Sequence, residues 1–229
     1  MNRSAVLVVA FISASLIAGA GCGKKPGTAE TTASKPAAVQ TPAAPAPHAP
    51  AAAGANSVTA DTTAKLNAAD WAIKQDEIKN DPDGQWATTA TASSTYNDAK
   101  EQEDWSPYQL TGIPNVERYG DDGKAWAPKT EDSGIEWIDL KFDKPVFATE
   151  VRVRESCGSG AIIRLELFDE SGAAHTIWAD VDPTKELNYL IIKFPKTTYK
   201  TNRVKLTLAT NAVQGWNEID AVQLVGKAL

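Results

Sequence analysis

From residue 61 onward the chain carries one histidine, His175, and one cysteine, Cys157. Catalysis by a nucleophile and base would have to be built on that pair. A Ser–His–Asp set requires His175, which follows the Gly172 turn in a short strand with no nucleophile-elbow sequence beside it. No glycine-rich phosphate loop and no zinc-ligand spacing accompanies either residue. Paired carboxylates of the glycosidase kind are not specified by any pattern, because 28 acids in this stretch supply such pairs by chance. His175 therefore reads as a satisfied surface group. Cys157 reads as a small half-buried thiol, since Cys22 is assigned to processing and leaves no internal disulfide.

Binding chemistry has more material. Tyr96, Trp105, Tyr108, Tyr119 and Trp126 crowd the stretch between Ser94 and Ile135, and Trp216 lies near the far end of the chain. Exposed rings give apolar platforms for sugar faces, and amides aimed at hydroxyls give orientation. The candidate ligand-binding residues are Trp105, Tyr108, Asn115, Tyr119, Trp216 and Asn217. A glycan or cell-envelope polysaccharide is the first ligand class. The rival is a protein-interaction or scaffold module of the envelope, and a polysaccharide-active enzyme comes third. A concave groove with a ring on its floor favours sugar, whereas a flat apolar patch favours protein.

The elements that must position these residues are strands. Ile138, Leu140 and Phe142 alternate with polar residues, as do Val151 and Val153; Ile163, Leu165 and Leu167; Leu190, Ile192 and Phe194; and Val204, Leu206 and Leu208. With Trp86–Ser93, His175–Ala179 and the run from Ile219 to Val225 this makes eight short strands. Period two with polar partners places one face in a core and one in water. Turns are expected at Phe142-Asp143-Lys144-Pro145, Asp169-Glu170-Ser171-Gly172 and Asp182-Pro183-Thr184. The class is all-β, an antiparallel jelly-roll sandwich over 85–229. A short helical lead-in spans 61–84, with Leu66/Ile73 and Trp71/Ile78 as its apolar pairs.

Arg3, the apolar run from Ala5 to Ile12 and the small residues before Cys22 have the layout of a secretory signal over 1–21. Two processing routes stay open: lipidation of Cys22, or cleavage after Ala20. Residues 22–60 are rich in Ala, Pro and Thr, too poor in large apolar groups to fold, and read as a tether. The expected location is the cell envelope, outside the cytoplasm, with contact to membrane through the lipid anchor alone. The whole chain has 23 basic and 29 acidic residues; Arg3, Lys24, Lys25, Lys35 and Glu30 precede residue 61, which leaves 19 against 28, a net −9. That charge excludes nucleic acid as an expected partner and favours neutral or basic ligands.

Ala92-Ser93-Ser94, then Asp121-Asp122-Gly123-Lys124-Ala125-Trp126, then Trp137-Ile138-Asp139-Leu140 resemble the discoidin (coagulation-factor 5/8 type C) and galactose-binding-like modules. Glu218-Ile219-Asp220-Ala221-Val222-Gln223-Leu224 resembles their closing strand, so the likeness covers about 85–226. It implies a galactose-binding-like sandwich with Trp137 in the core. It also implies a structural calcium between the early loop and a Glu opening the last strand, with Asp121, Asp122, Glu218 and backbone carbonyls of the same loop as its ligands.

Overall fold

The computed structural model describes residues 55–229, with side chains from residue 61 onward. The signal, the lipidation site Cys22 and most of the tether lie outside the described residues. A helix, α1 (Ala55–Lys79), leads into eight strands: β1 (Gly84–Trp86), β2 (Thr89–Ala92), β3 (Ile135–Cys157), β4 (Ile162–Asp169), β5 (Ala174–Trp178), β6 (Asn188–Lys193), β7 (Thr201–Ala209) and β8 (Glu218–Lys227). All pairings are antiparallel. One sheet runs β2-β3-β7-β4-β5 and the other β1-β8-β3-β6, with β3 common to both. The chain forms the antiparallel β-sandwich that alternation predicts.

Eight strands are found, but not the eight expected. Trp86–Ser93 is not one strand: Gly84–Trp86 pairs with β8, and after Ala87–Thr88 the chain changes sheets so that Thr89–Ala92 pairs with β3. The two runs around Val151 and Ile138 are instead one strand. The expected turn at Phe142–Pro145 is a bulge, where register jumps from Lys141↔Arg203 to Val146↔Thr201 and the strand bends into the second sheet. Pro145 is tolerated because such a bulge spares it a ladder bond. A smaller irregularity between Ile162 and Arg164 buries Ile162 in place of Ile163. The core then fills from both inner faces, with Ile138, Leu140, Val151, Val153, Leu165, Leu206, Val222 and Leu224 among its members.

α1 uses one face. Trp71, Gln75 and Ile78 follow the 3-4-7 spacing of a helix stripe and meet the sandwich, whereas Leu66 and Ile73 are exposed. The two apolar pairs point in different directions on a helix, so only one can dock. Arg154 lies between the rings of Trp71 and Tyr189, 5.2 and 5.1 Å from their centroids. Gln223, fully buried in β8, donates 2.9 Å to the Ile78 carbonyl, one of the last-turn groups that a helix cannot satisfy itself.

Candidate functional site

Between Ser93 and Gly134 the described chain has no strand, only short 3-10 turns at Tyr96–Asp98 and Pro107–Leu110. Its second half is fastened to the sandwich. Trp126 is fully buried, exchanges both main-chain bonds with Ile219 (2.9 and 3.1 Å) and donates its indole N–H to the Ser94 carbonyl at 3.0 Å. Asp220 reinforces this closure from β8, its carboxylate accepting the Asn115 and Val116 amides at 3.1 and 3.2 Å. Burial raises the Asp220 pKa to about 6 despite those two amides and Arg154.

The first half stays open. Trp105 is half-buried; its amide donates to Gly123 O at 2.8 Å and its indole N–H to Asp121 Oδ1 at 3.1 Å. Tyr96 sets its ring edge-on between two tryptophans, 5.1 Å from Trp105 and 5.1 Å from Trp216. Tyr96 and Trp105 form the apolar part of a shallow cleft of about 420 Å³, completed by Asn97, Ala99, Gln102, Glu103 and Asp104. Asn97, Asp98, Gln102 and Trp105 all take left-handed backbone, φ 53, 51, 66 and 58°. Asn and Asp bear that conformation easily, but a tryptophan there is strained, and such strain gathers where a site must be held in shape. Gly123 permits the close approach behind it: a β-carbon would lie 2.7 Å from Asp104 Cγ.

The six candidate ligand residues do not share one surface. Trp105 and Trp216 are brought together through Tyr96, a residue of the aromatic stretch that its type alone does not single out. Trp216 itself is 9 % exposed and serves as backing. Tyr119 and Asn217 meet at Gly158: the Tyr119 hydroxyl accepts the Gly158 amide at 3.1 Å, and Asn217 donates to Gly158 O at 2.7 Å. Gly158 has φ +53°, and a β-carbon there would be 2.1 Å from the Trp216 carbonyl. Tyr108 sits elsewhere, in a cleft with β2 residues Thr89 to Ala92. Asn115 exposes its side chain beside Trp71 and Arg154. Asn97, Gln102 and Asp104 carry no signal in the sequence, because the loop brings them to the rings only through its left-handed turns.

The calcium expectation meets a different geometry. Glu218 Oε2 accepts the Asp122 amide at 3.1 Å, Asp122 Oδ1 accepts the Lys124 amide at 3.0 Å, and Asp121 faces the Trp105 indole. Among the described residues no three His, Cys, Asp or Glu side chains gather where they could hold a metal. In these bonds the carboxylates fold the turn.

Other sequence readings resolve plainly. Trp137 is half-buried rather than core, with the Lys205 ammonium 4.9 Å from its ring centroid. His175 pairs with Asp169 at 2.8 Å and stacks on Tyr199 at 4.1 Å. Ser171 bonds the same Asp169, so the acid and not the imidazole stands in the middle, the wrong order for a catalytic triad. The Ser171 and His175 hydrogen bonds hold the Asp169 pKa below the usual carboxylate range. Cys157 is buried and is not a free thiol. That overturns the unpaired-thiol expectation, which assumes that Cys22 is consumed in processing.

Residues 75–229, more than half of the chain, match the family model described as Pappalysin-1, SD scarf domain, C-terminal. The chain belongs to that family. The sequence resemblance names discoidin-type modules instead. No curated protein sequence matches the chain. Among solved structures, chitosan-binding module 1 of a chitosanase/glucanase from Paenibacillus sp. IK-5 is 16 % identical, with 60 % of this chain and 94 % of that one covered and a TM-score of 0.44. The family 32 carbohydrate-binding module of Clostridium perfringens NanJ, in complex with galactose, is 13 % identical, with 62 % and 98 % covered and a TM-score of 0.45. CpGH89CBM32-5 from Clostridium perfringens, in complex with GalNAc-β-1,3-galactose, is 15 % identical, with 60 % and 94 % covered and a TM-score of 0.45.

Proposed function

We propose that this domain is a non-catalytic glycan-binding module whose ligand seats in the cleft of Tyr96, Asn97, Gln102, Asp104 and Trp105. The observation that supports it is the cleft itself: a concave surface of about 420 Å³ with two partly exposed rings and amide and carboxylate groups around them. A sugar needs an apolar platform and a few polar groups aimed at hydroxyls, and a protein contact would call for a flatter apolar patch. The net −9 from residue 61 onward favours neutral or basic glycans over acidic ones. Titration with neutral oligosaccharides is expected to quench tryptophan fluorescence. Trp105→Ala should weaken binding at least about tenfold, equivalent to roughly 1.4 kcal/mol, while leaving the fold intact. Lack of quenching by any neutral or amino sugar, together with capture of an envelope protein by the same cleft, would turn the reading to a protein-contact module.

The module's place in the cell is part of the same reading: exported, and either held in the envelope by lipid on Cys22 or cleaved after Ala20, the route that leaves the Cys22 thiol available to Cys157, which is not a free thiol. What supports it is the signal-like run and the small residues before Cys22. Expressed in a lipoprotein-processing host, the protein should enter the detergent phase, and Cys22→Ser should move it to the aqueous phase. Equal partition of both forms would end the lipoprotein reading.

A further inference from the structure

Near the end of β3 and in the β5–β6 connection, two carboxyl groups are taken out of water side by side. Glu155 is 3 % exposed and Asp182 6 %. Glu155 Oε2 accepts the Gly160 amide at 2.8 Å, but its Oε1 is buried with no hydrogen-bond partner. Asp182 Oδ1 accepts the Thr184 amide at 2.9 Å, Oδ2 has a long contact, 3.4 Å, from the Ile162 amide, and the carboxyl also meets that of Glu155. Gly160, whose amide bonds Glu155 and whose φ is +105°, packs close to main-chain oxygens of Thr184 and Asp182, which lie 3.2 and 3.5 Å from where its β-carbon would stand. Burial first, then the Asp182 charge, pushes the Glu155 carboxyl well above the usual carboxylate range. The Asp182 carboxyl and the Thr184 hydroxyl also reach the Glu155 carboxyl, and no basic side chain is among the groups acting on it. A buried carboxylate that lacks a counter-charge is costly, and two together are costlier, so something must neutralise this pair.

We propose that Glu155 and Asp182, completed by main-chain oxygens of the flanking turns, hold a divalent cation of the calcium type. The donors are all oxygens, as a hard cation prefers, and main-chain carbonyls routinely fill out such a shell. An ion here would tie the turn at Gly158–Gly160 to the turn at Asp182–Thr184. Through Gly158 it would steady Tyr119, Asn217 and Trp216, the last of which backs the cleft. The inference does not depend on what the cleft binds.

The test uses the full chain, stripped with chelator and then returned to calcium at neutral pH. Equilibrium dialysis should give one ion per chain, and saturating calcium should raise the melting temperature by about 5 °C, because an ion that binds only the native state stabilises it by mass action. Glu155→Gln and Asp182→Asn should each abolish that rise, and Glu218→Gln should keep it. Loss of the rise in Glu218→Gln with its retention in Glu155→Gln would move the ion to the acidic turn and overturn the proposal. No bound calcium, with Glu155→Gln melting higher than the unaltered protein at neutral pH, would show that a shared proton neutralises the pair and would overturn it as well. The dialysis is read on the unaltered chain, so it stands even if a variant fails to fold.

Discussion

Trp126 and Trp105 lie in the same irregular stretch, 21 residues apart, and meet opposite fates. Trp126 is sealed between the loop and β8, its N–H on a carbonyl and its main chain bridged to Ile219. Trp105 stands half-open on a left-handed backbone, its N–H on a carboxylate at the surface. For these two rings the main chain beside them decides: Trp126 bridges to a strand and is drawn into the core, whereas Trp105 turns away from the sheets and stays at the rim.

That contrast makes graded expectations. Trp126→Ala should cost the most, about 3–5 kcal/mol, since a large buried ring leaves a cavity that the surrounding sandwich cannot fill. Denaturant unfolding reads it, and a loss under about 1 kcal/mol would erase the distinction between the two halves. Acidity gives the next effect. The Asp220 pKa, raised to about 6, lies above its value in the unfolded chain, so the native state holds the proton more tightly. Stability should therefore be greatest below about pH 4 on this group's account and fall as pH rises toward 6, by on the order of 2 kcal/mol. In the chelator-stripped chain Glu155 is shifted in the same direction and steepens the fall. Asp220→Asn should remove Asp220's share, and an unchanged pH profile in that variant would assign the whole slope to Glu155. The smallest effect belongs to Trp105→Ala, about 1 kcal/mol or less in stability, because the ring is already partly in water. A large loss there would make Trp105 a structural plug.

Much of the fold is legible in the alternation of Ile138–Phe142, Leu165–Leu167 and Val204–Leu208, because a half-buried strand must repeat every two residues. What alternation cannot express is which sheet a face belongs to. Hence it is blind to the crossing at Ala87–Thr88 and the bulge at Phe142–Pro145, and one strand reads as two and two as one. The helix stripe fails similarly: Leu66 and Ile73 have the spacing to dock, but Trp71 and Ile78 hold the face that the sheet meets. At the site, residue type points to the aromatic stretch and to Trp105, yet not to Tyr96, whose role depends on standing between two rings from distant parts of the chain. Glu155 and Asp182 are two acids among 28, and only the fold brings them together.

The position of β8 sets the order in which the domain can assemble. This strand lies between β1 and β3 rather than at an edge, pairing Gly84 with Val225 and Val151 with Leu224. The long strand β3 thus waits for partners that arrive late: β6, β7 and finally β8. No earlier stretch can complete its sheet, and the separations in sequence are long, so closure is intrinsically slow. A nascent chain halted before residue 218 would lack the strand that carries Ile219 to Trp126 and Gln223 to the end of α1. Such a chain would stay open until the last ten-residue strand completes the sheet.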